Sequence, residues 1–380
     1  RIITGPPQAA KNDTVLLEAG MAPLAVMAQL RQLRLFERYQ RLPETDQRRL
    51  NLDMKAMRQA EQQARDLRKE AGVGGNRLPL SAPRDYAPHQ TDFARRVMFG
   101  ARLKGPKSSL TKAQQCRVSK RVLDNHLVIQ NAAWQSWSDG SVTPDERSAG
   151  AACLYRYRKD EPWFRKGALA GKLASSLRAE AVGVICSLEM VINTLRARKR
   201  RGSKRKGVAI LLDSRSLLDQ LRGGPLQKGM ERDVQVIWNL LHQLTGLTTY
   251  VVFQHVYSHC GLEKNELVDE YAAAVAQGGY IPVLSKTEQA KLQAEVPTKL
   301  SDFMCFAKRR LVQRWAQTIS PEECRVKLVG TKPTNLRATK KWPRYLERTA
   351  AQIRSGECPL VGKNRHRWGD TKGGVEVYLN

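Results

Sequence analysis

HVYSHCGLEKNELVDEYAAAVA, from His255 to Ala276, places a histidine and an aspartate ten residues apart. His259 follows the apolar, β-branched run 248–256, which predicts a strand, and Asp269 lies in an apolar pattern of helical period. The stretch therefore predicts an imidazole on a loop that faces a carboxylate on the next helix. Such a pair is more often a helix cap or a surface contact than a catalytic pair, so its meaning depends on the rest of the chain.

Three carboxylates upstream occupy related places in the predicted elements. Asp139 lies in WQSWSDGSV, which predicts a strand that ends near this aspartate. Glu180 lies in the first turns of the clearest predicted helix, 177–198, and Asp213 directly follows the short apolar strand 208–212. From residue 134 onward the predicted order of elements is β-β-β-α-β-α-α-β-α.

Strand ends and neighbouring helices meet at one crevice in an open sheet. We therefore expect the carboxylates of Asp139, Glu180, Asp213 and Asp269 to converge. Four such groups repel one another unless cations neutralise them, and hard divalent ions with oxygen ligands do so best. The pattern predicts two Mg²⁺ ions, with Mn²⁺ as a substitute, and hence phosphodiester cleavage.

The motifs WSDGSV, LRAEAVGV, LLDSRSLLDQL and SHCGLEKNELVDEYA together resemble an RNase H domain, specifically that of ingi-type non-long-terminal-repeat retrotransposons. The resemblance implies an RNase H-like mixed five-stranded sheet with helices on both faces. It implies that Asp139 bridges the two metal ions, and that Glu180, Asp213 and Asp269 complete their shells. It also implies that His259 assists proton movement or product release, and that the substrate is the RNA strand of an RNA·DNA hybrid.

The resemblance extends to both ends of the chain. The segment after the reverse-transcriptase thumb of such elements is similar to residues 1–26, RIITGPPQAAKNDTVLLEAGMAPLAV. The segment before their terminal zinc knuckle is similar to residues 345–369, YLERTAAQIRSGECPLVGKNRHRWG. The sequence contains neither polymerase motifs nor the Cys-rich knuckle, so we do not expect this chain to copy RNA. We interpret it as a processed chain or as an internal piece of a longer protein.

Periodicity, composition and the resemblance to an RNase H domain together predict four regions. They are an α-helical segment at 1–72, a linker with basic helices at 73–130 (one of them over 92–101), the RNase H-like domain at 131–280, and a basic helical RNA-binding region at 281–380.

Charge points to a polyanionic partner. The formal net charge is +29 and the pI is about 10.2. Residues 134–280 hold 21 Lys and Arg against 15 Asp and Glu, a net of +6, which leaves +23 to the flanking segments. This distribution predicts that the flanks bind nucleic acid.

Other features restrict the cellular setting. No apolar run approaches the ~18 residues of a membrane span, and no secretory signal pattern is present, so we expect no membrane partner. Seven cysteines without a C-x-x-C pair favour reduced thiols. The sequence does not give the compartment, and intracellular settings, nuclear or mitochondrial, stay open. The basic run RARKRRGSKRKG, 196–207, is interpreted as a solvated loop, a nucleic-acid contact or a nuclear localisation signal.

Two interpretations of function remain open at this point. The complete set of acidic residues with His259 favours a Mg²⁺-dependent ribonuclease H. The basic flanks favour a non-catalytic, domesticated RNase H fold that binds structured RNA and other proteins in a large ribonucleoprotein, such as a mitochondrial ribosome.

Overall fold

A computed structural model describes residues 22–50, 54–103, 107–143, 148–199, 206–278 and 286–318. Residues 1–21, residues 200–205 of the basic run, and the segment 345–369 that resembles a knuckle-preceding segment lie outside the described residues. Predictions for these parts of the chain stay predictions.

The described residues form six strands and eleven α-helices. The strands are β1 Val97–Phe99, β2 Trp134–Val142, β3 Ala149–Tyr157, β4 Phe164–Leu169, β5 Val208–Leu212 and β6 Val251–His255. The helices are α1 Leu24–Tyr39, α2 Gln47–Leu50, α3 Met54–Ala71, α4 Lys112–Asn125, α5 Leu127–Gln130, α6 Ser176–Lys199, α7 Arg215–Leu221, α8 Arg232–Thr245, α9 Glu263–Ala276, α10 Lys286–Glu295 and α11 Leu300–Thr318. Two short 3₁₀ helices, Asp92–Arg96 and Lys107–Ser109, precede β1 and α4. Within these ranges no helix is long and apolar enough to cross a bilayer.

All six strands join one mixed sheet in the order β1-β6-β5-β2-β3-β4. The pairs β1–β6, β6–β5 and β5–β2 are parallel, whereas β2–β3 and β3–β4 are antiparallel. The two antiparallel pairs follow from short connections, because consecutive strands joined by a short loop become neighbours. The predicted fold class, a mixed α/β sheet, is confirmed, with six strands instead of the five expected.

Both faces of the sheet are covered. Alternate side chains of β5 point to opposite faces: Ile210 and Leu212 join a core with Val184 of α6 and Trp238 of α8. Leu211 joins a second core, which contains residues of α9 and α4. Every residue of β5 is buried, which explains why its sequence is a continuous apolar run without alternation.

The sixth strand is a correction to the sequence analysis. The helix predicted over 92–101 is wrong: a single 3₁₀ turn ends at Arg96, and β1 then pairs in parallel with Val251–Phe253 of β6. The three residues Val-Met-Phe stand between arginines at a spacing that mimics an amphipathic helix. Pairing with a distant strand overrides that local pattern.

The chain divides into two compact units, residues 1–36, 53–61 and 304–380 in one and 37–52 and 62–303 in the other. In the first unit, the described parts of α1, α3 and α11 each bury apolar side chains. These are Val26, Leu30, Leu33 and Phe36 of α1, Ala60 of α3, and Met304, Ala307, Leu311 and Ala316 of α11. The second unit contains the whole sheet.

A buried carboxylate organises one corner of the second unit. Glu37 has no solvent exposure and accepts hydrogen bonds from the guanidinium groups of Arg41, Arg68 and Arg77. Arg41 and Arg68 also donate to Thr298, to its carbonyl oxygen and its hydroxyl respectively. Burial alone would raise the pKa of Glu37, but the hydrogen bonds and charges of the arginines lower it from 4.5 to about 2. One carboxylate therefore joins segments far apart in sequence.

We predict that Glu37→Gln lowers the free energy of unfolding by about 3–5 kcal/mol, the cost of removing one partner from a buried ion pair. Because the pKa of Glu37 is depressed, its stabilisation is present above pH 4.5 and is lost as the pH falls toward 2. Urea unfolding of both proteins at pH 7 and at pH 3 measures the difference, which should narrow at the lower pH.

Glu44→Gln is the matched control, since that side chain is 88% exposed and its partner Arg49 lies 3.5 Å away. Its effect should stay within about 0.5 kcal/mol. An equal loss for both variants would contradict the assigned role of Glu37.

Candidate active site

Adjacent parallel strands bring Asp139 and Asp213 together. Ser138 of β2 pairs in register with Leu212 of β5, so the next residue of each strand is an aspartate at the same edge of the sheet. β2 continues to Val142 instead of ending near Asp139, because the hairpin with β3 pairs as far as Ala149.

Glu180 of α6 completes a three-carboxylate cluster. Oxygen atoms of Asp139, Glu180 and Asp213 all lie within 4.8 Å of one another. The prediction that these three side chains converge is therefore consistent with the geometry.

Two glycines allow α6 to approach β2 closely enough for this contact. A Cβ atom on Gly140 would lie 2.2 Å from the backbone nitrogen of Glu180, and one on Gly183 would lie 2.7 Å from the carbonyl oxygen of Asp139. Distances this short exclude any side chain. Helix and strand therefore touch backbone to backbone where the two acidic residues stand.

Two members of the cluster are buried, and the charges of the cluster repel one another. Asp139 is 4% exposed and Glu180 is 9% exposed. Burial raises the pKa of Asp139 to about 8, with further contributions from the charges of Asp213 and Asp269, while the backbone N–H of Gly140 acts in the opposite direction. Burial and the charges of Asp139 and Asp213 raise the pKa of Glu180 to about 10. Among the described residues, no Lys or Arg forms an ion pair with Asp139 or Glu180.

The predicted His259–Asp269 pair forms. Nδ1 of His259 lies 3.2 Å from Oδ2 of Asp269, and the imidazole is 61% exposed. His259 has a φ of 50°, in the left-handed region that few non-glycine residues adopt. The charge of Asp269 and its interaction with the Asp139 carboxyl also raise the pKa of Asp139, which links the pair to the acidic cluster.

Two polar residues of the site escaped the sequence analysis. Asn265, 1% exposed, donates from Nδ2 to Oδ2 of Asp213 over 3.3 Å. Glu266 lies within 4.8 Å of His259 and Asp269 and accepts a hydrogen bond from the backbone N–H of Gly261. Asn265 stands one helical turn before Asp269, so its i, i+4 spacing on one helix face was the available signal.

The donor set fits a divalent cation. Asp139, Glu180 and Asp213 offer carboxylate oxygens, the ligand type that Mg²⁺ and Mn²⁺ prefer. Oε2 of Glu180 is buried and has no hydrogen-bond partner among the described residues. A buried oxygen without a donor is costly, and a cation would satisfy it.

Comparison with known proteins gives likenesses to solved structures alone. No protein-family model and no curated protein matches the chain. RNase H1 from the archaeon Halobacterium salinarum NRC-1 is 18% identical, with 37% of this chain and 95% of that chain covered and a TM-score of 0.29. The N-terminal RNase H domain of Rv2228c from Mycobacterium tuberculosis is 16% identical, with 42% and 99% covered and a TM-score of 0.31.

LC11-RNase H1, solved in complex with an RNA/DNA hybrid, is 19% identical, with 37% of this chain and 96% of that chain covered and a TM-score of 0.30. Identities and TM-scores are low for all three structures, so the functional assignment depends on the geometry of the acidic site.

We predict that Gly183→Ala destabilises the protein by about 1–3 kcal/mol, the usual cost of overpacking. Replacing glycine by alanine inside a helix normally raises the free energy of unfolding by up to about 1 kcal/mol. A decrease in the free energy of unfolding would therefore indicate the close contact. Gly75→Ala is the control, because a Cβ there meets nothing within 4 Å. Thermal or urea unfolding that shows Gly183→Ala to be neutral or stabilising would contradict the close contact.

We predict that Asp139→Asn stabilises the metal-free protein. A carboxyl whose folded-state pKa is raised to about 8 opposes folding progressively as the pH rises from about 4 through 8. At pH 8 in EDTA we expect a gain of at least about 1.4 kcal/mol, the equivalent of one pKa unit. Urea unfolding at pH 5 and pH 8 measures it, and the gain should be larger at pH 8.

Added Mg²⁺ provides the second arm of that experiment. The wild type should gain stability with Mg²⁺ concentration, because a ligand that binds the folded state stabilises it, and Asp139→Asn should gain less. A wild type with no pH-dependent penalty in EDTA would contradict the strained cluster.

Proposed function

We propose that this chain is a Mg²⁺-dependent ribonuclease H that cleaves the RNA strand of RNA·DNA hybrids. The observations that support it best lie at the three-carboxylate cluster: Asp139 and Glu180 are buried and form no ion pair with a Lys or Arg among the described residues. In addition, Oε2 of Glu180 has no hydrogen-bond partner among those residues. If this cluster had only a structural role, it would lower the free energy of unfolding without any compensating contact.

Each residue has a role in this proposal. Asp139, Glu180 and Asp213 would hold the metal, with Asp269 beside them, and Asn265 keeps the Asp213 carboxylate oriented through its Nδ2. When bound, divalent ions activate the attacking water and stabilise the leaving oxygen.

His259 is suited to proton movement. Its Nδ1 is held by Asp269, while most of the imidazole is exposed and accessible to a proton from the solvent or the product.

The decisive experiment uses the full chain and an end-labelled RNA·DNA hybrid in Mg²⁺ and in Mn²⁺. We predict that Asp139→Asn and Glu180→Gln each lose at least about a hundredfold in cleavage rate, as for loss of a group that stabilises transition-state charge. Hybrid affinity, measured with Ca²⁺, should stay within about threefold, since contacts from distant Lys and Arg are unchanged.

Glu189→Gln is the matched control, because Glu189 is exposed on the same helix as Glu180. It should retain wild-type cleavage. If the wild type is as inert as Asp139→Asn on a hybrid that a known ribonuclease H cuts, the enzymatic proposal fails. The non-catalytic ribonucleoprotein interpretation, supported by the +23 charge of the flanks, then takes its place.

A further inference from the structure

A cavity of about 240 Å³ opens beside Asp213, at the margin of the acidic cluster. Its wall includes three arginines, Arg102, Arg215 and Arg222, together with His255. Nε2 of His255 lies 3.1 Å from the carbonyl oxygen of Asp213, so the wall of the cavity and the acidic site share a residue. We propose that this cavity binds one backbone phosphate of the nucleic-acid strand that enters the site, an inference that rests on the proposed function.

One of the three arginines, Arg102, comes from the part of the chain before β2. Arg102 follows β1, and the residues before it are held to β6 by two hydrogen bonds. The backbone N–H of Gly100 donates to the carbonyl oxygen of Phe253 over 2.8 Å, and Nε2 of Gln254 donates to the carbonyl oxygen of Ala101 over 3.0 Å. The upstream segment, residues 82–102, thus brings the guanidinium group of Arg102 to the side of the acidic cluster.

The other two arginines lie at the two ends of α7. Arg215 is its first residue, two positions after Asp213, and Arg222 directly follows its end. Arg222 lies over the ring of Phe99, 5.7 Å from the centroid, and donates to the carbonyl oxygen of Gly100 over 3.4 Å. These contacts fix the inner wall of the cavity to the same upstream segment.

The charge balance favours an anion. Asp219 is the acidic partner of all three arginines, at 4.0 Å from Arg102, 3.6 Å from Arg215 and 3.1 Å from Arg222. Asp219 and Asp213, which lines the cavity, are two carboxylates against three guanidinium groups, so an excess of positive charge remains. Arg102 and Arg215 are about 70% exposed, and ion pairs at that exposure are weak. Both side chains can therefore turn from Asp219 to a phosphate, whose oxygens match the guanidinium fork.

The volume of the cavity limits the ligand. Small-molecule sites begin at about 300 Å³, and this cavity is smaller, which favours a single phosphate group over a whole nucleotide. Its position beside Asp213 then places the bound phosphate next to the bond that is cut. The ligand that we assign to the cavity is therefore a phosphodiester group of an extended strand.

The test measures hybrid binding in Ca²⁺ over a series of salt concentrations for wild type, Arg102→Gln and Arg95→Gln. Arg95 is the matched control: its side chain is 86% exposed and pairs with exposed Asp92 at 3.5 Å, and it does not line the cavity. We expect Arg102→Gln to bind about tenfold more weakly. Its slope of log affinity against log salt should fall by about 0.7–0.9, the equivalent of one phosphate contact. Arg95→Gln should change neither quantity.

A second arm locates the contact. Hybrids that carry one neutral methylphosphonate at a time are bound to both proteins. For the wild type, one linkage next to the cut should lower affinity about tenfold, and for Arg102→Gln that linkage should have little further effect. If Arg102→Gln behaves like Arg95→Gln, or if no single linkage distinguishes it from the wild type, the inference is overturned. A wild type that binds no hybrid overturns the proposed function as well, whereas hybrid binding without cleavage overturns that function alone.

Discussion

Backbone contact between α6 and β2 is the constraint on which the candidate site depends. Gly140 and Gly183 leave no side chain between helix and strand, so the Cα atoms of Asp139 and Glu180 are fixed by main-chain packing. Main-chain contacts in a covered sheet change little with side-chain motion, whereas long surface side chains move freely. The separation of the two carboxylates is therefore a property of the fold, and so is the repulsion between them.

Two buried acidic sites in this chain show opposite electrostatics. At Glu37, three arginines surround one carboxylate, and its pKa falls to about 2. At Asp139 and Glu180, carboxylates surround one another, and both pKa values rise. The first arrangement stabilises the fold, because the arginines already neutralise the carboxylate. The second arrangement lowers the stability of the fold when its carboxylates ionise, and under the proposed function a divalent cation would neutralise them.

Residue pattern was sufficient for the central sheet and for most of the site. Two local signals predicted structure correctly. One is the apolar run before Asp213, which forms the buried strand β5. The other is the ten-residue interval from His259 to Asp269, whose side chains lie in contact. Asn265 was missed because a polar residue inside a helix usually faces solvent, and only the register of α9 against the sheet buries it. The Glu37 cluster was missed for a stronger reason: one of its hydrogen bonds joins positions 257 residues apart, and an acidic residue among arginines ordinarily indicates a solvated helix face.

β1, which the sequence patterns did not predict, affects both the edge of the sheet and the surroundings of the acidic site. β1 occupies the outer edge of β6, where an unpaired strand would expose main-chain donors and acceptors. Residues before it also dock on α8, since Asn239 donates to the carbonyl oxygen of Pro83 and the backbone N–H of Ala82 donates to Gln235. The upstream segment is thus part of the sheet's structural unit and carries Arg102 to the edge of the acidic site. Loss of that segment would uncover β6 and would also remove the guanidinium group of Arg102 from the cavity. The stability of the sheet and the proposed recognition of a phosphate therefore depend on the same few residues.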